Sequence, residues 1–272
     1  MLSLIITKTV ISIFTILGLS WLTERVSPRM AGLLSGYPIG TAIALYFIGY
    51  EQGAAFAVDG AVYTLAGLSA TLAFVVGYYY ASRRWAGWPG VFLSALCGNI
   101  AFFTACLLLR HLPDQPLIAI LSPILAILFF SWLFRHIPDK RIDNPVRLGW
   151  RVLAFRAFMA AGTVITITGV AASVGPEWSG LFAAFPITVF PLFLIIHAQY
   201  GSDPIAAFVR NFPRGLGALV VYCLTIHYSY GSVGITFGTL LSFLTATIYL
   251  MIYGTFTRQR ARHNRQRPSS GR

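Results

Sequence analysis

Charge is what this chain has least of. Eight Asp+Glu and twenty Lys+Arg make up 10% of its 272 residues, whereas a soluble domain carries roughly 25%. So few ions cannot cover a water-facing surface, which excludes the ordinary soluble class. Cysteine is scarce as well. Cys97, Cys106 and Cys223 fall inside apolar segments without metal or disulfide spacing, so they read as small core residues. Also missing are paired histidines at ligand spacing, a Gly-x-Ser-x-Gly elbow, a phosphate-cradling loop and a dinucleotide fingerprint. The expectation is no enzyme, no cofactor and no metal. His197 and His227 lie near run ends and read as interfacial.

Apolar sequence fills the space instead: 57% of residues are hydrophobic and the mean hydropathy is +0.72. Runs near or above the roughly 20 residues needed to span a bilayer fall at 2–23, 29–50, 54–81, 88–110, 116–137, 152–174, 178–200, 204–229 and 232–257. The fold class expected is therefore an all-α polytopic protein of the cell membrane with nine transmembrane helices. Lys8 interrupts the first run and no small-residue cleavage site follows, so that run reads as fold, not as a signal peptide. The net charge of +12 does not call for nucleic acid. Arg258, Arg260, Arg262, Arg265, Arg267 and Arg272 crowd the last residues, where cations meet the anionic cytoplasmic leaflet. Tail residues 258–272 are expected to be disordered.

An internal duplication organises the chain. Moving it by 148 positions superimposes Pro28 on Pro176, Gly32 on Gly180, Leu33 on Leu181, Pro38 on Pro186 and Ile39 on Ile187. The register continues without a gap through Gly53/Gly201, Gly67/Gly215, Leu68/Leu216, Gly90/Gly238 and Ser94/Ser242. Residues 1–112 then form a first four-helix repeat, 113–148 a linker helix with its cytoplasmic loop, and 149–257 a second repeat. Equivalent positions are separated by an odd number of helices, so the second repeat enters the membrane inverted. Arg25, Arg29, Arg83, Arg84, Arg135, Lys140, Arg141, Arg147 and Arg151 gather in the loops on one side. Positive-inside bias puts that side in the cytoplasm, with the N-terminus outside and the C-terminus inside.

Two stretches carry the strongest local signal, Gly36-Tyr37-Pro38-Ile39-Gly40 and Ala184-Phe185-Pro186-Ile187-Thr188. Proline deletes a backbone donor and clashes with the preceding turn, so each apolar segment should break there. Interrupted segments at matching positions of two halves point to a transport site. Pro38, Gly40, Pro186 and Thr188 are the candidate substrate-binding positions. Arg210 and Arg214 share one helix face with Pro213 between them. Lys8 and Arg156 are equivalent under the repeat, and all four cations are candidates for an anionic substrate. Asp59 is the acid clearly inside a run and is the candidate for proton coupling. Glu51, Glu177 and Asp203 read as interfacial. Tyr78, Tyr79, Tyr80, Trp85 and Trp88 read as an aromatic belt. Small residues four apart, Gly90/Ser94 and Gly238/Ser242, mark packing faces, and Gly234/Gly238 makes the last helix the candidate for a homodimer.

The run Gly180-Leu-Phe-Ala-Ala-Phe-Pro-Ile-Thr188, followed by Gly201-Ser-Asp and Phe208-Val-Arg210, resembles the GlpM-like family of small membrane proteins. The likeness covers mainly residues 178–214, with a fainter version at 30–68 where Val62 replaces the basic residue aligned with Arg210. It implies units of four helices with an arginine after the second. Four-helix inverted halves also resemble small multidrug transporters. Lys8 and Arg156 stand where those carry an acid, which disfavours a cationic cargo.

The function expected is a secondary transporter moving a small anionic metabolite or lipid phosphate by alternating access, with proton coupling. The alternative is a non-transporting membrane subunit supporting envelope polysaccharide or lipid biosynthesis. Topology is directly testable. A cysteine in the turn at Gly53 should react with an impermeant reagent from outside, and one in the turn at Gly201 only after permeabilisation. Equal labelling from one side would overturn the inversion.

Overall fold

A computed structural model of the chain describes residues 2–25, 37–111, 116–137 and 149–266. The lead-in Pro28, Gly32 and Leu33, with Gly36 and the loop cations Arg29, Lys140, Arg141 and Arg147, lies outside the described residues. Nine α-helices are described: α1 Leu2–Arg25, α2 Ile39–Gln52, α3 Ala54–Arg84, α4 Gly87–Leu109, α5 Pro116–Leu133, α6 Trp150–Ala183, α7 Val189–Tyr200, α8 Asp203–Val233 and α9 Ile235–Gln266. A 3-10 turn, Phe134–His136, closes α5. Six helical stretches are long and apolar enough to cross a membrane, the architecture of a multi-pass membrane protein. With 14 and 12 residues, α2 and α7 rise only about 20 Å each and are too short to cross alone.

Two helix boundaries differ from the sequence expectation. Runs 152–174 and 178–200 are not joined by a loop. Instead α6 continues through Gly175, the one non-helical residue inside it (φ 78°, ψ 174°). Pro176 then opens the next helical piece, where its missing N–H has no intrahelical acceptor to lose. Ser179 repairs the kink by donating its hydroxyl to the carbonyls of Gly175 (2.7 Å) and Ala171 (3.3 Å). The segment 178–200 is broken at 184–188, as its proline demands. Past Thr257, α9 runs on to Gln266, into the stretch expected to be disordered. Arg and Gln are good helix formers, and propagation from an existing helix needs no new nucleus.

Position in the bundle follows residue size. Within their apolar windows α3 is 67% buried, while α4, α5 and α9 are 28%, 17% and 22% buried, so α3 is central and the others form the rim. α3 packs against α4, α8, α6 and α5, and α8 against α9. Gly60, Thr64, Gly67 and Thr71 recur at steps of four, three and four, one face of a 3.6-residue helix. That face lies on the end of α6. A Cβ on Gly180 would sit within 2.1 Å of the Gly60 carbonyl oxygen, and one on Gly67 within 2.7 Å of the Ala184 Cβ. Beyond this seam Phe74 packs its ring against Phe185, Phe190 and Phe193.

The expected aromatic belt is split. Tyr80, Trp85 and Trp88 are exposed, but Tyr78 is fully buried against Phe193 and His197. Successive helical residues step by about 100°, so neighbours cannot share one surface. His197 is accordingly buried, not interfacial. Cys106 and Cys223 are buried core residues and Cys97 is half-buried. Gly238 faces Tyr230 and Ser229 of α8 within the chain, whereas Gly234 is exposed with open space beside it.

Ion pairing marks one end of the bundle. Arg83, at the end of α3, meets Asp203, at the start of α8, at 2.7 Å. Gly53 and Gly201 close the turns after α2 and α7 at φ 98° and 77°, which makes Gln52 and Ser202 the less strained sites for labels.

Packing of the α3–α6 seam sets a stability prediction. Gly180→Ala should lower stability by about 1–3 kcal/mol or more through overpacking against backbone, read as a lower Tm in detergent. Gly162→Ala, with nothing within 4 Å of its added Cβ, should be neutral or stabilising by up to about 1 kcal/mol.

Candidate functional site

Both proline stretches meet at one cavity. Tyr37, Pro38, Gly40 and Thr41 line it from the start of α2, and Ala184 to Val189 from the second break. Leu68 and Thr71 of α3 and Phe212, Leu216 and Leu219 of α8 complete the wall. The two breaks touch here, since a Cβ on Gly40 would lie 2.8 Å from the Ile187 Cβ. The cavity volume is about 30 Å³, which suits one or two waters and no larger solute.

Backbone groups released by the second break are satisfied from α3. Thr64 donates its hydroxyl to the Gly180 carbonyl at 2.8 Å, and Thr71 donates to the Ala184 carbonyl at 2.5 Å. Tight turns close the break itself: the Ile187 N–H donates to the Phe185 carbonyl, and the Val189 and Phe190 N–H groups to the Pro186 carbonyl. At the first break the Ile39 N–H donates to the Tyr37 carbonyl and the Ala42 N–H to the Pro38 carbonyl. Tyr37 is held from above by stacking on Phe243 and by a hydroxyl contact with Thr247 at 2.9 Å.

Pro38 is the N-cap of α2 and Thr188 the N-cap of α7, and neither end has a side-chain cap hydrogen bond. Two helix N-termini thus open onto the same small space. Each carries the equivalent of about half a positive charge. At α2 the Gly40 and Thr41 N–H groups have no intrahelical acceptor, whereas at α7 the Val189 and Phe190 N–H groups are taken by the Pro186 carbonyl and Pro191 has none. Hydroxyls of Tyr37, Thr41, Thr71 and Thr188 supply the polar side chains of the lining.

Four of the eight candidate binding residues therefore come together: Pro38, Gly40, Pro186 and Thr188. None of the cations whose side chains are described joins them. Lys8 is buried away from the cavity, paired with Glu51 at 2.5 Å and donating to the Thr168 hydroxyl at 2.6 Å. Arg156 is also buried, on the first part of α6. Arg210 donates from Nη1 to the Ile137 carbonyl at 2.7 Å and so caps the end of α5. The Arg214 side chain lies outside the described ones. Asp59 is exposed on the outside of the bundle, away from the cavity. Glu177 and Asp203 are exposed, whereas the Glu51 side chain, at the end of α2, is 18% exposed and ion-paired.

Sequence reasoning passed over Thr64, Thr71 and Gly60, and used Gly67 only as a marker of the repeat. Their 4-3-4 spacing was a visible signal, since small and hydroxyl residues at one helix face mark close approach in membranes. Thr64→Val with Thr71→Val should leave two buried carbonyls short of a donor. Membrane side-chain hydrogen bonds are worth about 0.6–1.7 kcal/mol, so the double variant should show a clear drop in Tm. Thr166→Val, whose exposed hydroxyl serves only its own helix at Gly162, should not.

Comparison with protein-family models, with curated proteins and with solved structures finds no match to this chain.

Proposed function

We propose that the chain is a secondary transporter that moves a small anionic metabolite or lipid phosphate by alternating access. Its nine helices form two inverted four-helix repeats, α1 to α4 and α6 to α9, joined by α5, with the N-terminus outside and the C-terminus in the cytoplasm. One observation carries this reading. The 148-residue offset read from sequence pairs most of the cavity wall: Tyr37/Phe185, Pro38/Pro186, Gly40/Thr188, Thr41/Val189, Leu68/Leu216 and Thr71/Leu219. A ligand site near the pseudo-twofold axis, built from interrupted helices, is the arrangement expected of inverted-repeat transporters.

Helix boundaries support the same register. α2 and α7 end at 52 and 200, α4 and α9 begin at 87 and 235, and the turns between use Gly53 and Gly201 in matching positive-φ conformations. The preference for an anion rests on the converging N-termini and the hydroxyl lining. Recognition here works through the Gly40 and Thr41 amides and the helix dipoles, not through a guanidinium fork. Alternating access is also consistent with the cavity volume. About 30 Å³ cannot hold a metabolite, so the two breaks must separate before one enters.

Purified protein in liposomes tests the reading with inorganic phosphate, a sugar phosphate and a dicarboxylate as labelled probes. Uptake of at least one is expected. Gly40→Leu should abolish it in folded protein by wedging Ile187, and Thr188→Val should weaken it. Folded protein that takes up none of them, or Gly40→Leu at wild-type rate, would overturn the reading.

A further inference from the structure

Where α2 opens onto the cavity, donors are left over. The Tyr37 carbonyl takes the Ile39 N–H and the Pro38 carbonyl takes the Ala42 N–H. Between those two bonds the Gly40 and Thr41 N–H groups have no intrahelical acceptor. Thr41 adds a side-chain donor. It is 5% exposed and lines the cavity, and among the described residues its hydroxyl makes no hydrogen bond. Three donors on two successive residues thus stand at the positive end of a helix dipole, in a space with almost no water.

The facing wall does not use them. Across the gap the Phe185 and Pro186 carbonyls are already engaged by N–H groups of their own turn, and the Ala184 carbonyl by the Thr71 hydroxyl. Ile187 turns an apolar side chain toward Gly40. No carboxylate lines the cavity. Buried backbone donors are nearly always paired, so the missing partner comes from outside the chain, and the helix dipole favours one that carries negative charge.

Size narrows the choice. A volume of about 30 Å³ suits one or two waters, so a carboxylate or a phosphate, with several heavy atoms, does not fit while the breaks touch. An anion of one heavy atom does, which at neutral pH means a halide. A single charge also costs less to take from water than the double charge of a phosphate.

We infer that the closed cavity is a binding site for one halide ion, held by the Gly40 and Thr41 N–H groups and the Thr41 hydroxyl, and that a larger anion enters only by displacing it. The site belongs to the first half of the chain. Under the 148-residue offset Gly40 corresponds to Thr188 and Thr41 to Val189. At α7 the equivalent N–H groups are taken by the Pro186 carbonyl, and Pro191 has none. Thr188 is the one polar side chain that the second break brings to the lining, so the ion sits between donors of one half and a hydroxyl of the other.

This inference rests on the anion preference of the transporter reading but not on transport itself. The full chain, purified in detergent with gluconate as the sole anion, is equilibrated with labelled chloride at constant ionic strength. Saturable binding of one ion per chain is expected, displaced by bromide and not by gluconate. Attraction to the arginine-rich tail is shared by all monovalent anions and cancels. Thr41→Val should weaken binding about tenfold or more, and Thr41→Ser, which keeps the hydroxyl, by no more than about threefold. Without chloride, Thr41→Val should melt no lower than wild type, because it removes a donor that has no partner, so lost binding is separated from lost folding. Thr166→Val, outside the cavity, should bind as wild type does. No saturable binding, or undiminished binding by folded Thr41→Val, would overturn the site and leave the cavity to water. Uptake of any of the three liposome probes without chloride binding would sink the halide site alone. Chloride binding without uptake of any of them would sink only the transport reading.

Discussion

Everything in this bundle depends on how backbone carbonyls are satisfied where a helix is broken in a dry interior. Proline removes the donor, and hydrocarbon offers no water to replace it. At the second break the replacement comes from α3, through the Thr64 and Thr71 hydroxyls. Those short side chains reach only because Gly60, Gly67, Gly180 and Ala184 let the two backbones touch. The demand for donors thus dictates the small stripe, the stripe dictates the α3–α6 contact, and that contact puts α3 at the centre. Bulk is pushed one step outward, to Phe74 and the rings around it.

Shape and chemistry obey different symmetry at the cavity. Prolines and leucines recur across the 148-residue offset, so the two halves offer walls of similar form. Hydroxyls do not recur: under the offset Tyr37, Thr41 and Thr71 correspond to Phe185, Val189 and Leu219, and Thr188 corresponds to Gly40. On the proposed transporter reading, a duplicated scaffold that has lost chemical equivalence would keep the geometry of rocking halves while letting one half carry most of the polar recognition. The same asymmetry separates the Lys8–Glu51 pair from Arg156 and Gln199.

Charges sort by depth. Arg83 and Asp203 are about half exposed, and such pairs are worth at most about 1 kcal/mol. Arg210 spends its guanidinium on the last carbonyl of the α5 turn, a capping role that relieves an orphan acceptor. Lys8 and Glu51 are different, because two ions removed from water depend on each other for stability. The interior tolerates them as a pair and penalises either alone.

The sequence by itself determined what acts locally along the chain. Apolar runs located the helices, Pro186 located the break in 178–200, and the 148-residue register anticipated that Pro38 and Pro186 would line one space, because hydropathy and a missing N–H act at their own positions. Only the tertiary structure decided which face each side chain took. Tyr78 turned inward, Asp59 outward, Glu51 found Lys8, Arg210 found Ile137, and runs 152–174 and 178–200 met through the single residue Gly175. The physical reason is that these helices are apolar nearly all round, so their sequences carry little of the 3.6-residue polarity that reveals a buried face in a soluble protein. Azimuth was set instead by close backbone approach and by polar groups seeking partners across the bundle, and both are properties of pairs of helices, not of any one segment.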